Sequence, residues 1–196
     1  MNAVRYYIAL IMLVTLPPTL LPWFLIHPYI RFWRKLGPAL TYSLVMAVMG
    51  LGGFGLFLVR RSLLAWDFGT NYLLIALGVL LQAAAIWLWV VLHRHLSFKT
   101  LVGLPELAPR KYPAALITGG IYSRMRHPRY VQIILYFWGY ALIANYPAAY
   151  AVAGLWLPGV YFIALLEEKE LRERYGAAYE EYCRRVPRFL PRFSRK

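Results

Sequence analysis

Four stretches of this sequence contain no Asp, Glu, Lys or Arg: residues 6–30, 39–59, 71–92 and 130–166. Crossing a bilayer as a helix takes about 20 apolar residues. The first three stretches therefore each predict one span. In the first, Pro17-Pro18 should introduce a kink and His27-Pro28 should end the helix. In the third, Trp87-Leu88-Trp89 suits an interfacial aromatic belt. The fourth is too long for one span and is broken at Asn145-Tyr146-Pro147. It predicts a tight helical hairpin whose first limb is short. The expected fold is all-α, with about five transmembrane helices including this C-terminal hairpin. It forms a single membrane domain over residues 1–196, with two N-terminal spans in 1–60 and a core in 71–196.

Composition agrees. The chain is 61% hydrophobic and 15% charged, against about 25% charged in soluble domains. That excludes a disordered chain and an ordinary soluble enzyme. The lone Cys183 excludes an intrachain disulfide and argues against a thiolate metal cluster. A cleaved signal peptide is not expected, because the first apolar stretch exceeds an h-region and no small-residue cleavage site follows it.

The net charge of +14 is placed unevenly. Residues 93–130 hold Arg94, Lys99, Arg110, Lys111, Arg124, Arg126 and Arg129 against one acid, Glu106. The tail beyond Glu167 is also rich in arginine. A hairpin returns the chain to the side it left, so both segments share one face. The positive-inside rule makes that face cytoplasmic. The Arg31, Arg34, Lys35 loop joins it, whereas the N-terminus and the Arg60, Arg61, Asp67 loop lie outside. A prokaryotic source would make this the plasma (inner) membrane. Arg184, Arg185, Arg188, Arg192, Arg195 and Lys196 read as a patch for anionic lipid head groups, not for nucleic acid. The tail should open as an amphipathic helix, with Leu171, Tyr175, Tyr179, Tyr182 and Val186 on one stripe and Glu167 in line with it. Pro187 should stop it.

Gly50-Leu51-Gly52-Gly53-Phe54-Gly55 matches G-x-G-x-x-G letter for letter. A dinucleotide site needs a preceding strand, a following helix and an acid about 20 residues on. This run lies inside an apolar span with no such acid. Helix packing through small residues accounts for it.

The chemistry gathers elsewhere. Leu116-Ile117-Thr118-Gly119-Gly120-Ile121-Tyr122 leads into Arg124-Met125-Arg126-His127-Pro128-Arg129-Tyr130 as the chain re-enters the membrane. Arginines and tyrosines there could be interfacial anchors, Pro128 a first-turn proline and His127 a cap. Glu167 and Glu168 come directly after the last span, where a carboxylate is costly unless paired or bound to a ligand. The hairpin must bring its two ends together, placing His127 and Tyr130 near Glu167. A small-molecule pocket is expected there, and not a metal site, because His27, His93 and His95 lie on other segments.

These residues resemble the integral-membrane methyltransferases grouped with the isoprenylcysteine carboxyl methyltransferases and phospholipid N-methyltransferases. The matching elements, in order, are L-I-T-G-G-I-Y (116–122), R-H-P-x-Y (126–130), E-E-x-x-L (167–171), Y-G-x-x-Y-x-x-Y (175–182) and V-P-R-F-L-P (186–191). The resemblance covers 71–193. It implies S-adenosylmethionine as methyl donor, held in a pocket formed by 114–132 and 163–193 and roofed by the C-terminal helix. By the same resemblance, Leu116, Ile117, Gly120, Tyr122, His127, Pro128, Tyr130, Glu167 and Glu168 contact the cofactor, and Arg126 and Glu167 take the catalytic roles. Gln132 and Ile163 face a lipophilic or membrane-embedded acceptor. Two positions depart from the pattern. The prenylcysteine enzymes have an arginine where this chain has Ile163, and most members have glycine where it has Gln132. The acceptor thus stays open between a prenylcysteine-like carboxylate, a phospholipid amine and another lipophilic nucleophile. Two other readings are an NADPH-dependent sterol-type membrane reductase and a non-catalytic membrane scaffold.

Overall fold

The computed structural model describes residues 2–94, 104–108, 111 and 115–190. His95, Lys99, Arg110, Pro191, Arg192, Arg195 and Lys196 lie outside the described residues, as does the side chain of Glu106. The described elements are helical. In chain order they are α1 (Asn2–Ile26), α2 (Ile30–Leu36), α3 (Pro38–Leu58), α4 (Arg60–Leu63), α5 (Tyr72–His93), α6 (Leu104–Leu107), α7 (Pro128–Ala144), α8 (Pro147–Tyr175) and α9 (Ala177–Arg185). Among the described residues there is no strand.

Four helices, α1, α3, α5 and α8, are long and apolar enough to cross a membrane. The fifth expected span is α7, the short limb of the hairpin. Its 17 residues reach about 25 Å, a little less than the hydrocarbon core. The hairpin turns at Asn145, whose left-handed backbone (φ 56°, ψ 45°) suits asparagine better than most residues. The turn is tied down from both sides. The Asn145 amide donates to Gly69 O at 2.9 Å, and Tyr150 Oη donates to Asn145 Oδ1 at 2.9 Å.

The prolines of α1 do not end it. Pro18 has no N–H for the carbonyl of Val14, four residues back. That oxygen faces Gly53 of α3 so closely that a Cβ there would come within 2.7 Å of it. Gly52 sits against the Pro18 ring, where a Cβ would fall at 3.3 Å. The glycine-rich run is thus a seam between α1 and α3, as its sequence suggested. A second seam joins α5 to α7. A Cβ on Gly78 would meet Gly139 O at 2.7 Å, and Gln82 Nε2 donates to Tyr136 O at 2.8 Å.

Between α1, α7 and α8 lies the core. It is built on fully buried alanines (Ala9, Ala141, Ala144, Ala153, Ala164) with Leu13, Trp156 and Ile163. Small residues allow close helix approach where lipid supplies no hydrophobic drive. The outward faces of α3 and α5 expose Leu51, Phe54, Leu73 and Leu80, as lipid-facing helices do.

The expected amphipathic tail helix forms as α9, but it starts later than the sequence suggested. Helix α8 runs unbroken through the glutamate pair to Tyr175 and is ended by Gly176, whose positive φ (52°) a side chain would disfavour. The stripe is split across that break. Tyr179, Tyr182 and Val186 form a small buried cluster, with Leu116, Leu171 and Tyr175 packed around it.

Candidate active site

Pro128 occupies the first turn of α7, and His127 stands at its N-cap. The His127 side chain makes no cap bond there. It turns instead toward α8, with Nε2 3.1 Å from Glu168 Oε1 and Nδ1 3.7 Å from Glu167 Oε2. One turn along α7, Tyr130 donates from its hydroxyl to Glu167 Oε1. Its ring stacks with His127 at 5.5 Å between centroids. The two ends of the hairpin therefore meet.

The paired glutamates have different fates. Adjacent residues on a helix point about 100° apart. Glu168 has no exposed surface, whereas the Glu167 side chain keeps 28% of its own. Around Glu168 Oε1 stand Arg126 Nη2 at 2.8 Å, Arg188 Nε at 2.9 Å and His127 Nε2 at 3.1 Å. Arg188 Nη2 (2.9 Å) and Arg172 Nη2 (3.3 Å) donate to its Oε2. A carboxylate buried among three guanidinium groups is ionised and fully used. The expectation placed Glu167 on the buried stripe; the buried one is its neighbour.

Arg126 is equally occupied. Besides Glu168, it donates to the carbonyls of Cys183 and Val186. The tail is drawn in by backbone as well, since Arg126 N and His127 N donate to Pro187 O and Arg188 O, both at 2.9 Å. Phe189 reaches the His127 ring at 5.9 Å. Arg188, grouped by sequence with a membrane-surface patch, is instead a member of this network.

The segment 116–122 docks on the tail. Leu116 joins the α9 cluster, and Tyr182 Oη donates to Tyr122 O at 2.6 Å. Burial pushes the Tyr182 phenol up to about 12 despite nearby Arg126, so it remains a donor at any ordinary pH. The Tyr122 phenol is also raised, by burial first, with Tyr182 and Glu167 adding to it against Arg129. Gly120 opens the 3₁₀ turn Gly120–Ser123 with φ 60°. Of the two acceptor positions, Gln132 is half-buried on α7, and Ile163 is 1% exposed in the core one turn before Glu167.

Besides Arg172 and Arg188, sequence reasoning missed two residues. His27, just past α1, places Nδ1 2.6 Å from Glu170 Oε1 and Nε2 4.0 Å from Glu167 Oε1. Glu170 is the second. The signal available was that His27-Pro28 ends a span on the same side as the glutamates. An open cleft of ≈ 570 Å³ lies between α2 (Arg31, Arg34) and α8 (Glu167, Glu170, Glu173, Arg174). Among the described residues, no three His, Cys, Asp or Glu side chains form a metal-holding group.

Residues 73–178 match the model of the phospholipid methyltransferase family. Methanethiol S-methyltransferase 2 of Bradyrhizobium diazoefficiens is 33% identical over 79 residues, 39% of this chain and 29% of that protein. Delta(14)-sterol reductase TM7SF2 of Mus musculus is 31% identical over 93 residues, 44% of this chain and 21% of that protein. The chain thus spans less than a third of either relative's length. No solved structure matches. The family match covers more than half of the chain and takes in α5, α7 and α8, which between them carry Tyr130, Glu167 and Glu168, with His127 at the cap of α7, and so the chain belongs to the phospholipid methyltransferase family.

Proposed function

We propose that this protein transfers a methyl group from S-adenosylmethionine to a lipophilic or membrane-borne acceptor. The observation that carries the reading is Glu167. It is an accessible carboxylate at the membrane boundary, held by Tyr130 and flanked by His127 and His27. The donor set fits the cofactor. A carboxylate that only accepts suits ammonium and hydroxyl groups, and the adjoining cleft falls in the roughly 300–1,000 Å³ range of small-molecule sites. When bound, the cofactor supplies an activated methyl group on a sulfonium.

The chain's own residues would bind, align and keep water out. Glu167 accepts hydrogen bonds from the cofactor's polar groups. Tyr130 holds Glu167 in one rotamer and offers a ring face that favours a cation. Leu116, Ile117, Gly120 and Tyr122 would add contacts from the segment docked on α9, and the 187–189 segment lies along Arg126 and His127. Glu168 and Arg126 act in this reading as the frame that fixes His127 and the tail, rather than as cofactor contacts. In-line displacement needs alignment above all, and dry surroundings favour a reaction that disperses charge. A carboxylate, thiolate or unprotonated amine acceptor needs no general base. It would enter from the bilayer past Gln132 on α7. By the positive-inside rule, the cationic loops favour the cytoplasmic side for this end of the bundle.

Thermal unfolding of detergent-purified protein with S-adenosylhomocysteine or NADPH tests the reading. S-adenosylhomocysteine at 100 times its dissociation constant should add about 2.7 kcal/mol, and Glu167→Gln should abolish the gain. Stabilisation by NADPH alone would favour the reductase reading, which the similarity to the mouse sterol reductase keeps as the second choice.

A further inference from the structure

The family match begins at residue 73, so α1 and α2 lie outside it. The end of α1 nevertheless reaches the acidic face of α8. His27 is 5% exposed. Its ring stacks on Trp23, one turn back, at 5.3 Å and 16°. Nδ1 stands 2.6 Å from Glu170 Oε1. An ionised carboxylate only accepts, so Nδ1 carries the hydrogen and donates it. Glu167 and Glu170 are three residues apart and share one face of α8. Left alone, two carboxylates so placed repel and compete for the same partners.

We propose that His27 is a positioning residue of the site: by holding Glu170 to the end of α1, it leaves Glu167 as the carboxylate that faces the ligand. The inference rests on the cofactor reading of Glu167. The N-terminal helices are then one wall of the site and not only an anchor. Trp23 backs the imidazole and fixes the plane in which Nδ1 donates. The substitution His27→Asn keeps a donor near the Nδ1 position. The substitution His27→Phe keeps a ring and its stacking but no donor.

Binding of S-adenosylhomocysteine to the full chain in detergent, followed by calorimetry, tests this. His27→Phe should raise Kd about tenfold, the scale for losing a hydrogen bond to a charged group, and the double variant His27→Phe/Glu170→Gln, which removes the released carboxylate, should recover most of that loss. His27→Asn should stay within about threefold of wild type. Wild-type affinity in His27→Phe, or a double variant that binds no better than His27→Phe alone, would overturn the inference and leave the cofactor reading intact. Equal losses in His27→Asn and His27→Phe would also overturn it, since packing alone would then explain both. If His27→Phe does not fold, the same comparison is made with His27→Leu and His27→Leu/Glu170→Gln. A wild-type chain that fails to bind overturns the cofactor reading and this inference together.

Discussion

Arg5 of α1 donates from Nε to the carbonyl of Ala144 at 3.0 Å, across 139 residues of chain. Ala144 is the last residue of α7, where helical carbonyls lack a partner. The same guanidinium meets Asp67 and, at 3.2 Å, Thr70 Oγ1. It lies 5.6 Å from the Tyr146 ring. One buried side chain thus joins the first helix, the 64–71 loop and the hairpin tip, at the end of the bundle away from the glutamates.

Arg5→Gln should lower stability by about 1–3 kcal/mol, because it strands a carbonyl and a carboxylate. S-adenosylhomocysteine affinity should not change. Asp67 also gives this clasp a pH signature. Burial raises its carboxyl, but the Arg5 hydrogen bond, the Gly69 N–H and the Arg5 charge hold it below the ordinary value. A depressed carboxylate stabilises the fold above its unfolded pKa, about 3.9 for Asp, and loses that contribution as pH falls toward the folded value. Wild type should therefore lose the Asp67 part of its advantage over Arg5→Gln as pH falls below about 4, in unfolding scans between about pH 3 and 7, while the part due to the Ala144 carbonyl remains.

The adjacent glutamates should separate binding from stability. Glu168→Gln leaves Arg126, Arg188 and Arg172 without their counter-charge and should cost about 3–5 kcal/mol. Glu167→Gln should unfold like wild type yet not bind S-adenosylhomocysteine. Paired unfolding and binding measurements on the two variants check this; an equal stability loss in both would contradict it.

The glycine seams predict a contrast within one motif. Gly53→Ala must displace the Val14 carbonyl and should cost about 1–3 kcal/mol. Gly55 faces open space, so Gly55→Ala should gain about 0.5–1 kcal/mol from reduced unfolded-state freedom. Gly78→Ala should behave as Gly53→Ala does, through Gly139. Thermal unfolding of the three variants is sufficient.

Tyr182→Phe keeps the ring and removes the donor to Tyr122 O. It should cost about 1 kcal/mol and weaken S-adenosylhomocysteine binding by loosening the turn Gly120–Ser123. Unchanged binding would place that turn outside the pocket.

Charge-free length and the Asn145 breaker were enough to predict the helices, and the meeting of His127 and Tyr130 with Glu167 followed from hairpin closure. What the sequence did not reveal depends on rotation and on long-range partners. Which of two adjacent glutamates is buried depends on the azimuth of α8, and a stripe count is blind to an error of about 100° when the helix continues past its assumed start. Arg188 looks like any tail arginine until the 186–189 segment folds back along Arg126 and His127. The His27 contact spans 143 residues, and no local pattern encodes it.

Helix α8 is also a ruler. From Pro147 at the hairpin tip to Glu167 is about 20 residues of one continuous helix, with Pro158 inside it, about 30 Å at roughly 1.5 Å per residue, so the depth of the carboxylate beneath the Arg5 clasp is set by counting. Inserting a single residue after Trp156 would advance the phase of everything beyond it by one position. Glu167 would then rotate into the nest of guanidinium groups that now holds Glu168, and Leu166 would turn to face the cleft. The fold would keep its buried counter-charge while the site lost its carboxylate, making the length of this helix, as much as its composition, a determinant of activity.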